Sequence, residues 1–130
     1  RRLFVQKEVF PVVDIDVGLR VRTDGKWLAF VIEQMLHNAV KYSDAASTVE
    51  VGATASDAGV TLSIVDHGIG IRERDLPRIF DLYFTGSNGR DHDQSSGIGL
   101  YVAKHVLDEL GHGIEVESKL GAGTCMRITF

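Results

Sequence analysis

Residues 65–70, VDHGIG, follow an apolar run, GVTLSIV at residues 59–65, that predicts a buried strand. Asp66 therefore stands at the end of a core strand, and Gly68 and Gly70 follow it at alternate positions. A carboxylate accepts hydrogen bonds from an amino group, and glycines allow a flat ring to approach the backbone. A tight turn explains the stretch equally well when it is taken alone, so its role depends on what the rest of the chain places beside it.

The composition is that of one soluble globular domain. The chain has 130 residues, of which 44% are hydrophobic and 25% are charged. Its net charge of -4 argues against a nucleic-acid binder held by a basic surface. No apolar run approaches the roughly 20 residues of a membrane-spanning helix. The single cysteine, Cys125, has no partner for an internal disulfide and is interpreted as a core residue in a reducing compartment. The chain starts at Arg1 without a methionine, and we interpret it as a piece of a longer protein.

Periodicity and turn residues predict both strands and helices. One helix is expected at residues 26–42 after an Asp24 cap, and another at 98–110, capped by Ser95 or Ser96 and ended by Gly111. Strands are expected at 7–16, 19–24, 47–56, 59–66, 113–118 and 124–130, with a short helix at 73–80. This order predicts an α+β fold, a two-layer α/β sandwich with helices on one face of the sheet.

Three polar side chains fall on one face of the first predicted helix. Gln34, Asn38 and Lys41 have the spacing i, i+4, i+7, and Tyr42 lies at the edge of that face. An amide oxygen suits Mg²⁺ and an ammonium group suits phosphate, although a solvated face has the same spacing.

Two further glycine motifs follow. Gly97 and Gly99 open the second predicted helix, whose N-terminal N–H groups and dipole suit phosphate. The stretch GAGT at residues 121–124 is also typical of a hairpin turn.

The order of these motifs resembles the ATP-binding domain of sensor histidine kinases. That domain belongs to the superfamily shared by DNA gyrase, heat-shock chaperones and mismatch-repair ATPases. The matching stretches are EQMLHNAVKYS (33–43) for the N box, VDHGIGI (65–71) for the G1 box, RIFDLYF (78–84) for the F box, SSGIGL (95–100) for the G2 box and GAGT (121–124) for the final box. The resemblance covers nearly the whole chain and implies a Bergerat-type fold with a mixed, mainly antiparallel sheet.

The resemblance also implies a role for each matching residue. Asn38 would hold Mg²⁺, and Lys41 and Tyr42 would contact the nucleotide. Asp66 would accept a hydrogen bond from the adenine amino group, supported by Thr124. The other implied ATP-binding residues are Gly68 and Gly70, which make room for the ring, Ile71, Ile79, Phe80 and Leu100 around an apolar pocket, Gly97, Gly99 and Arg90 near the phosphates, and Ile98, with residues 85–96 as a lid.

One position distinguishes the subfamilies. Hydrolysing relatives have a glutamate as general base one helical turn before the asparagine, whereas this chain has Gln34. An amide does not take up a proton as a carboxylate does, and Glu33 points about 100° away around the helix. We therefore expect phosphoryl transfer to a protein, with little hydrolysis.

None of the five histidines fits the acceptor of the family. The resemblance places the acceptor histidine on a separate dimerisation domain, so this chain holds no catalytic histidine and is not expected to phosphorylate itself. His67, inside the G1 box, is expected near the nucleotide. The implied partners are the dimerisation domain of the same protein, which would be a homodimer, and a response regulator. The implied location is the cytoplasmic side of a bacterial membrane sensor.

A finer resemblance joins the chain to intramembrane-sensing kinases that answer cell-envelope antibiotics such as bacitracin. It rests on residues 23–43, 84–90 and 99–112. Two alternatives stay open: a serine kinase of the anti-sigma-factor type, and a degenerate interaction module that binds no nucleotide. A chaperone or topoisomerase ATPase is disfavoured by Gln34 and by the short length.

Overall fold

The computed structural model describes residues 5, 8–16, 18–84 and 98–130. It has the predicted two-layer α+β architecture, a five-stranded sheet with two long helices packed on one face. The elements in chain order are β1 (Phe10–Asp14), α1 (Gly25–Lys41), β2 (Thr48–Ser56), β3 (Gly59–Asp66), a 3₁₀ turn (Leu76–Arg78), α2 (Gly99–Leu110), β4 (Gly113–Lys119) and β5 (Gly123–Thr129).

The sheet is mixed and mainly antiparallel, as predicted. Its strand order is β1-β2-β3-β5-β4; β1 runs parallel to β2, and the other neighbours are antiparallel. Side chains alternate between the two faces, and one face supplies the core from three central strands. The buried hydrophobic residues of these strands are Val49, Val51, Leu62, Ile64, Met126 and Ile128.

The two helices complete the core and have the predicted ends. Asp24 caps α1, because its carboxylate accepts from the backbone N–H groups of Lys26 and Trp27. Gly111 ends α2 in the left-handed conformation, with φ of 78°. Val31, Met35 and Ala39 of α1 and Ala103 and Leu107 of α2 form the buried stripe of the helical layer. Among the described residues, no helix is long and apolar enough to cross a bilayer.

Three sequence predictions were wrong in detail. Residues 19–24 form no strand and residues 7–16 contribute only β1, since Pro11 lies on the unpaired side of β1 and has no N–H to offer a further strand. The helix expected at 73–80 is only the 3₁₀ turn that Pro77 begins. The N-cap of α2 is Ile98, which makes no side-chain cap bond. Ser95 and Ser96 lie outside the described residues.

Candidate nucleotide-binding site

Asp66 is a buried carboxylate at the end of β3, on the sheet face that carries the helices. Its side chain is 5% exposed, and the backbone N–H of Gly68 donates to its Oδ1 at 3.0 Å. Burial raises its pKa above the ordinary 3.8, and the backbone hydrogen bonds from Gly68 and Thr124 and the nearby His67 oppose that rise. The carboxylate is thus fixed by the backbone, and it retains acceptor capacity for a ligand.

The chain after Asp66 packs directly against the C-terminal end of α1. The N–H of Ile69 donates to the carbonyl of Tyr42 at 3.2 Å. A Cβ added to Gly68 would collide with that same carbonyl, so only glycine allows the two backbones to approach this closely. The contact places the Asp66 loop next to Lys41 and Tyr42.

The same loop also packs against the turn between β4 and β5. Gly70 has φ of 73°, and a Cβ there would collide with the carbonyl of Lys119. The N–H of Gly121 donates to the carbonyl of Ile69 at 2.7 Å. In the direction of a Cβ, Gly68 and Gly70 thus make room for protein backbone. Their predicted contact with the adenine ring stays a prediction.

A hydroxyl network lies beside Asp66. Thr124, which is 7% exposed, stands opposite Asp66 in the pairing of β3 with β5. Its Oγ1 lies 2.7 Å from Oγ of Ser118 on β4. Ser118 also accepts from the N–H of Ile71 at 2.7 Å and donates to the carbonyl of Gly123 at 2.9 Å. Ser118 was not predicted, because a serine in a strand of alternating pattern is unremarkable until its partner, 47 residues away, is known.

The polar face of α1 lies between the Asp66 loop and the start of α2. Asn38 and Lys41 are half-buried, and burial lowers the pKa of Lys41. Lys41 Nζ lies 5.2 Å from the ring centroid of Tyr42. One turn before Asn38, the amide oxygen of Gln34 lies against Gly99, where it would collide with any added Cβ. The structure thus brings the first residue of α2 to the same face as Asn38.

The expected apolar lining is only partly placed in one cluster. Ile79 is part of the buried core. Ile71, Phe80 and Leu100 are partly buried and pack against that core. Ile98 is 40% exposed. Arg90, Gly97 and the expected lid at residues 85–96 lie outside the described residues.

His67, inside the G1 box, has its described contact with an exposed acid, and its approach to a nucleotide stays a prediction. Its Nε2 lies 3.0 Å from Oε1 of Glu50, and both side chains are about half exposed. Glu50 points to the sheet face away from the helices, as does His67. Cys125 lies on that face too, half-buried rather than in the core.

The donor set suits a cation that is held mainly by phosphate. Among the described residues there is no cluster of three or more histidine, cysteine or acidic side chains that would bind a metal on its own. Asn38 offers one amide oxygen, and Mg²⁺ is often bound by one or two protein oxygens together with substrate phosphates and water. Asn38 therefore fits the predicted role.

Comparison with known proteins identifies the family. Residues 23–130 match the model of the histidine kinase-, DNA gyrase B- and HSP90-like ATPases. The chain belongs to this family. It is therefore the ATP-binding, catalytic type of domain found in sensor histidine kinases, as the motifs predicted.

Two bacterial sensor kinases are similar over most of the chain. The sensor histidine kinase YxdK of Bacillus subtilis (strain 168) is 39% identical over 131 residues, which is 100% of this chain and 40% of that protein. The sensor protein kinase GraS of Staphylococcus aureus (strain JH1) is 43% identical over 118 residues, 91% of this chain and 34% of that protein. The chain thus spans about 40% or less of these relatives, and the bacitracin-sensor-like group predicted from the sequence fits both of them.

Solved structures support the fold. The structure of full-length ShkA in complex with AMPPNP superposes with a TM-score of 0.81 at 24% identity, over 98% of this chain and 26% of that one. At this identity the likeness establishes the fold alone.

Proposed function

We propose that this chain binds Mg²⁺-ATP beside Asp66 and donates the γ-phosphoryl group to a histidine on a separate dimerisation domain of the same protein. The phosphoryl group would then pass to a response regulator. Family membership supports ATP binding, and the names of YxdK and GraS support a sensor kinase as the whole protein. ShkA was solved with a non-hydrolysable ATP analogue, which supports the same ligand class.

The convergence of three separate motifs is the observation that carries the proposal. The Asp66 loop packs on the end of α1 through Gly68 and Tyr42. The start of α2 packs on the same helix through Gly99 and Gln34. A buried acceptor, a partly desolvated ammonium and a helix N-terminus are therefore grouped along one face of α1. These groups suit adenine, phosphate and phosphate, respectively.

The residues of the site would bind and position ATP rather than react covalently. Asp66 would accept from the adenine amino group, and Lys41 would neutralise phosphate charge. Mg²⁺ on Asn38 would supply further charge neutralisation at the phosphates. In the transfer, an imidazole nitrogen bonds to the γ-phosphorus, the bond from phosphorus to the β–γ bridging oxygen breaks, ADP leaves, and the ring proton goes to solvent. Positioning and charge neutralisation would supply most of the rate.

The whole protein would be a homodimer at a bacterial membrane, with this domain on the cytoplasmic side. The similarity of this chain to the sensor kinases YxdK and GraS supports this placement. Residues 1–130 would act as a single catalytic domain within it.

Calorimetric titration tests nucleotide binding directly. The chain is titrated with ADP and with a non-hydrolysable ATP analogue, each with and without Mg²⁺. We expect binding of both, tighter for the triphosphate when Mg²⁺ is present, and loss of the Mg²⁺ effect in Asn38→Ala. Failure of the folded chain to bind either nucleotide would favour the degenerate interaction module.

The chemistry of the product tests the acceptor. The chain is mixed with radiolabelled ATP and the histidine-bearing domain of the same protein, and the phosphorylated product is exposed to acid and to base. A phosphohistidine is lost in acid and survives base. A product that survives acid would instead favour the serine kinase of the anti-sigma-factor type.

A further inference from the structure

The contacts around Ser118 favour one arrangement of the hydroxyl protons. The N–H of Ile71 can only donate, and the carbonyl of Gly123 can only accept. Ser118 has one hydroxyl proton, and the bond to Gly123 uses it. In the remaining contact, the 2.7 Å pair of hydroxyls, either oxygen can donate, but all three contacts are hydrogen bonds at once only when Thr124 is the donor, and we adopt that direction.

A consequence follows for Thr124. Its single proton is directed at Ser118, so its oxygen offers only lone pairs in every other direction. Thr124 also stands opposite Asp66 across the β3–β5 pair, where side chains are about 4.5–5.5 Å apart at Cβ. Asp66, when ionised, is likewise an acceptor and nothing else. Two neighbouring buried groups thus both present only acceptor lone pairs to whatever binds beside them.

We infer that Ser118 is a positioning residue that makes the site selective for a 6-amino purine over a 6-oxo purine, by holding the Thr124 hydroxyl as an acceptor. An exocyclic amino group supplies donors to this pair. A 6-oxo group would set a lone pair against two sets of lone pairs, which leaves buried polar groups unsatisfied. Without Ser118 the Thr124 hydroxyl is free to turn its proton toward the ligand and to donate to a 6-oxo group.

This inference rests on the proposed function, because it presumes that a purine base lies at Asp66. The test compares the affinity of the chain for ATP with that for inosine triphosphate, whose base carries oxygen at position 6. The quantity of interest is the ratio of the two dissociation constants. It is a specificity, which a general loosening of the fold would not move in a fixed direction.

We expect Ser118→Ala to lower the preference for ATP by roughly three- to tenfold, chiefly through tighter binding of inosine triphosphate, as for one hydrogen bond gained. Ser118→Thr keeps the hydroxyl and should restore the wild-type ratio. Ser63→Ala is the matched control, because Ser63 is a half-buried strand serine on the opposite face of the sheet. It should leave the ratio unchanged.

Thr124→Val provides an independent arm, since it removes the hydroxyl that Ser118 orients. In the Thr124→Val background, Ser118→Ala should no longer change the ratio. If Ser118→Ala fails to fold, Ser118→Cys fills the same space with a weaker hydrogen-bonding group and should shift the ratio in the same direction by less.

The outcomes separate the two proposals. If the wild-type chain binds neither triphosphate, the proposed function is wrong. If the wild type prefers ATP but folded Ser118→Ala and Ser118→Cys keep its ratio, the function stands and the role of Ser118 is wrong. An equal effect of Ser118→Ala with and without the Thr124 hydroxyl would also overturn that role.

Discussion

Two rows of side chains cross the same three strands, one residue apart. The inner row, on the helix side, consists of Asp66, Thr124 and Ser118. The outer row consists of Val65, Cys125 and Glu117. Since successive residues of a strand point to opposite faces, the two rows lie on the same three strand segments and face different surroundings.

The inner row shows what burial demands of polar groups. In the part of the chain that the structure describes, no buried side-chain nitrogen or oxygen lacks a hydrogen-bond partner. Each inner-row group therefore has a defined partner, and its remaining capacity is directed at one place. Glu117 in the outer row is 71% exposed and pairs with Arg127, whose Nη1 also lies 3.2 Å from the Cys125 sulfur. Water competes for the exposed Glu117 carboxylate, so a contact there is less fixed in direction than those of the inner row.

The largest effect should follow from neutralising the inner carboxylate. Asp66→Asn keeps an oxygen for the Gly68 N–H but removes the charge and can turn an NH₂ group toward the ligand. We expect the affinity for ADP to fall by roughly 10- to 150-fold, the range of one charged hydrogen bond of about 1.5–3 kcal/mol. Calorimetry measures it. Glu50→Gln, at an exposed acid on the outer face, is the control, and equal losses in both variants would contradict the assignment of Asp66.

The next largest difference is expected in stability, when a methyl group is added at Gly68 or at Gly52. Gly68→Ala drives a Cβ into the Tyr42 carbonyl, and backbone cannot move aside as a side-chain end can. We expect the free energy of unfolding to fall by about 1–3 kcal/mol, as for an overpacked core. Gly52→Ala is the matched change on the outer face of β2, where the nearest atom would be Ser63 Oγ at an ordinary 3.7 Å. Urea unfolding compares the two, and comparable losses would mean that the close approach at Gly68 does not constrain the fold.

The pH dependence of stability should reveal the cost of burying Asp66. Burial raises its folded-state pKa above 3.8, so the native state holds the proton more tightly than the unfolded chain. The contribution of Asp66 to the free energy of unfolding is therefore fully present at pH values below 3.8, and it is lost as the pH rises through the raised folded-state pKa. Relative to Asp66→Asn, the wild type should become less stable as the pH rises from below 3.8 to neutral. Urea unfolding at a series of pH values measures the difference, and a relative gain in stability would contradict it.

Local signals predicted the frame of this site well. The strand pattern at residues 59–66, the Asp24 cap and the Gly111 stop each depend on neighbours within a few residues, and each was confirmed. The strand predicted at residues 19–24 does not form. A strand needs a neighbouring strand edge to pair with, and Pro11 lacks the N–H that the free edge of β1 would have to donate.

The remainder of the site depends on contacts between distant parts of the chain. Gly68 must be glycine because a Cβ would collide with the carbonyl of Tyr42, and Ser118 holds the loop by accepting from the N–H of Ile71. Neither relation leaves a local signal. The motif order pointed to Asp66 and Thr124, which the structure places opposite each other, but it did not point to Ser118, which contacts Thr124 from β4.

The smallest effect should come from the outer row. Glu117→Gln removes the charge that pairs with Arg127, yet the Glu117 side chain is 71% exposed. Exposed pairs of this kind contribute little, since water and salt screen them and ordering two long side chains costs entropy. We expect the free energy of unfolding to change by less than about 1 kcal/mol, and the ADP affinity to stay the same. Glu117 directly precedes Ser118 in the sequence, so substitutions at these two positions compare the two faces of the sheet one residue apart. A change in nucleotide specificity in Glu117→Gln would mean that the faces are coupled through the β4 backbone, and that the inner row is not set by its own hydrogen bonds alone.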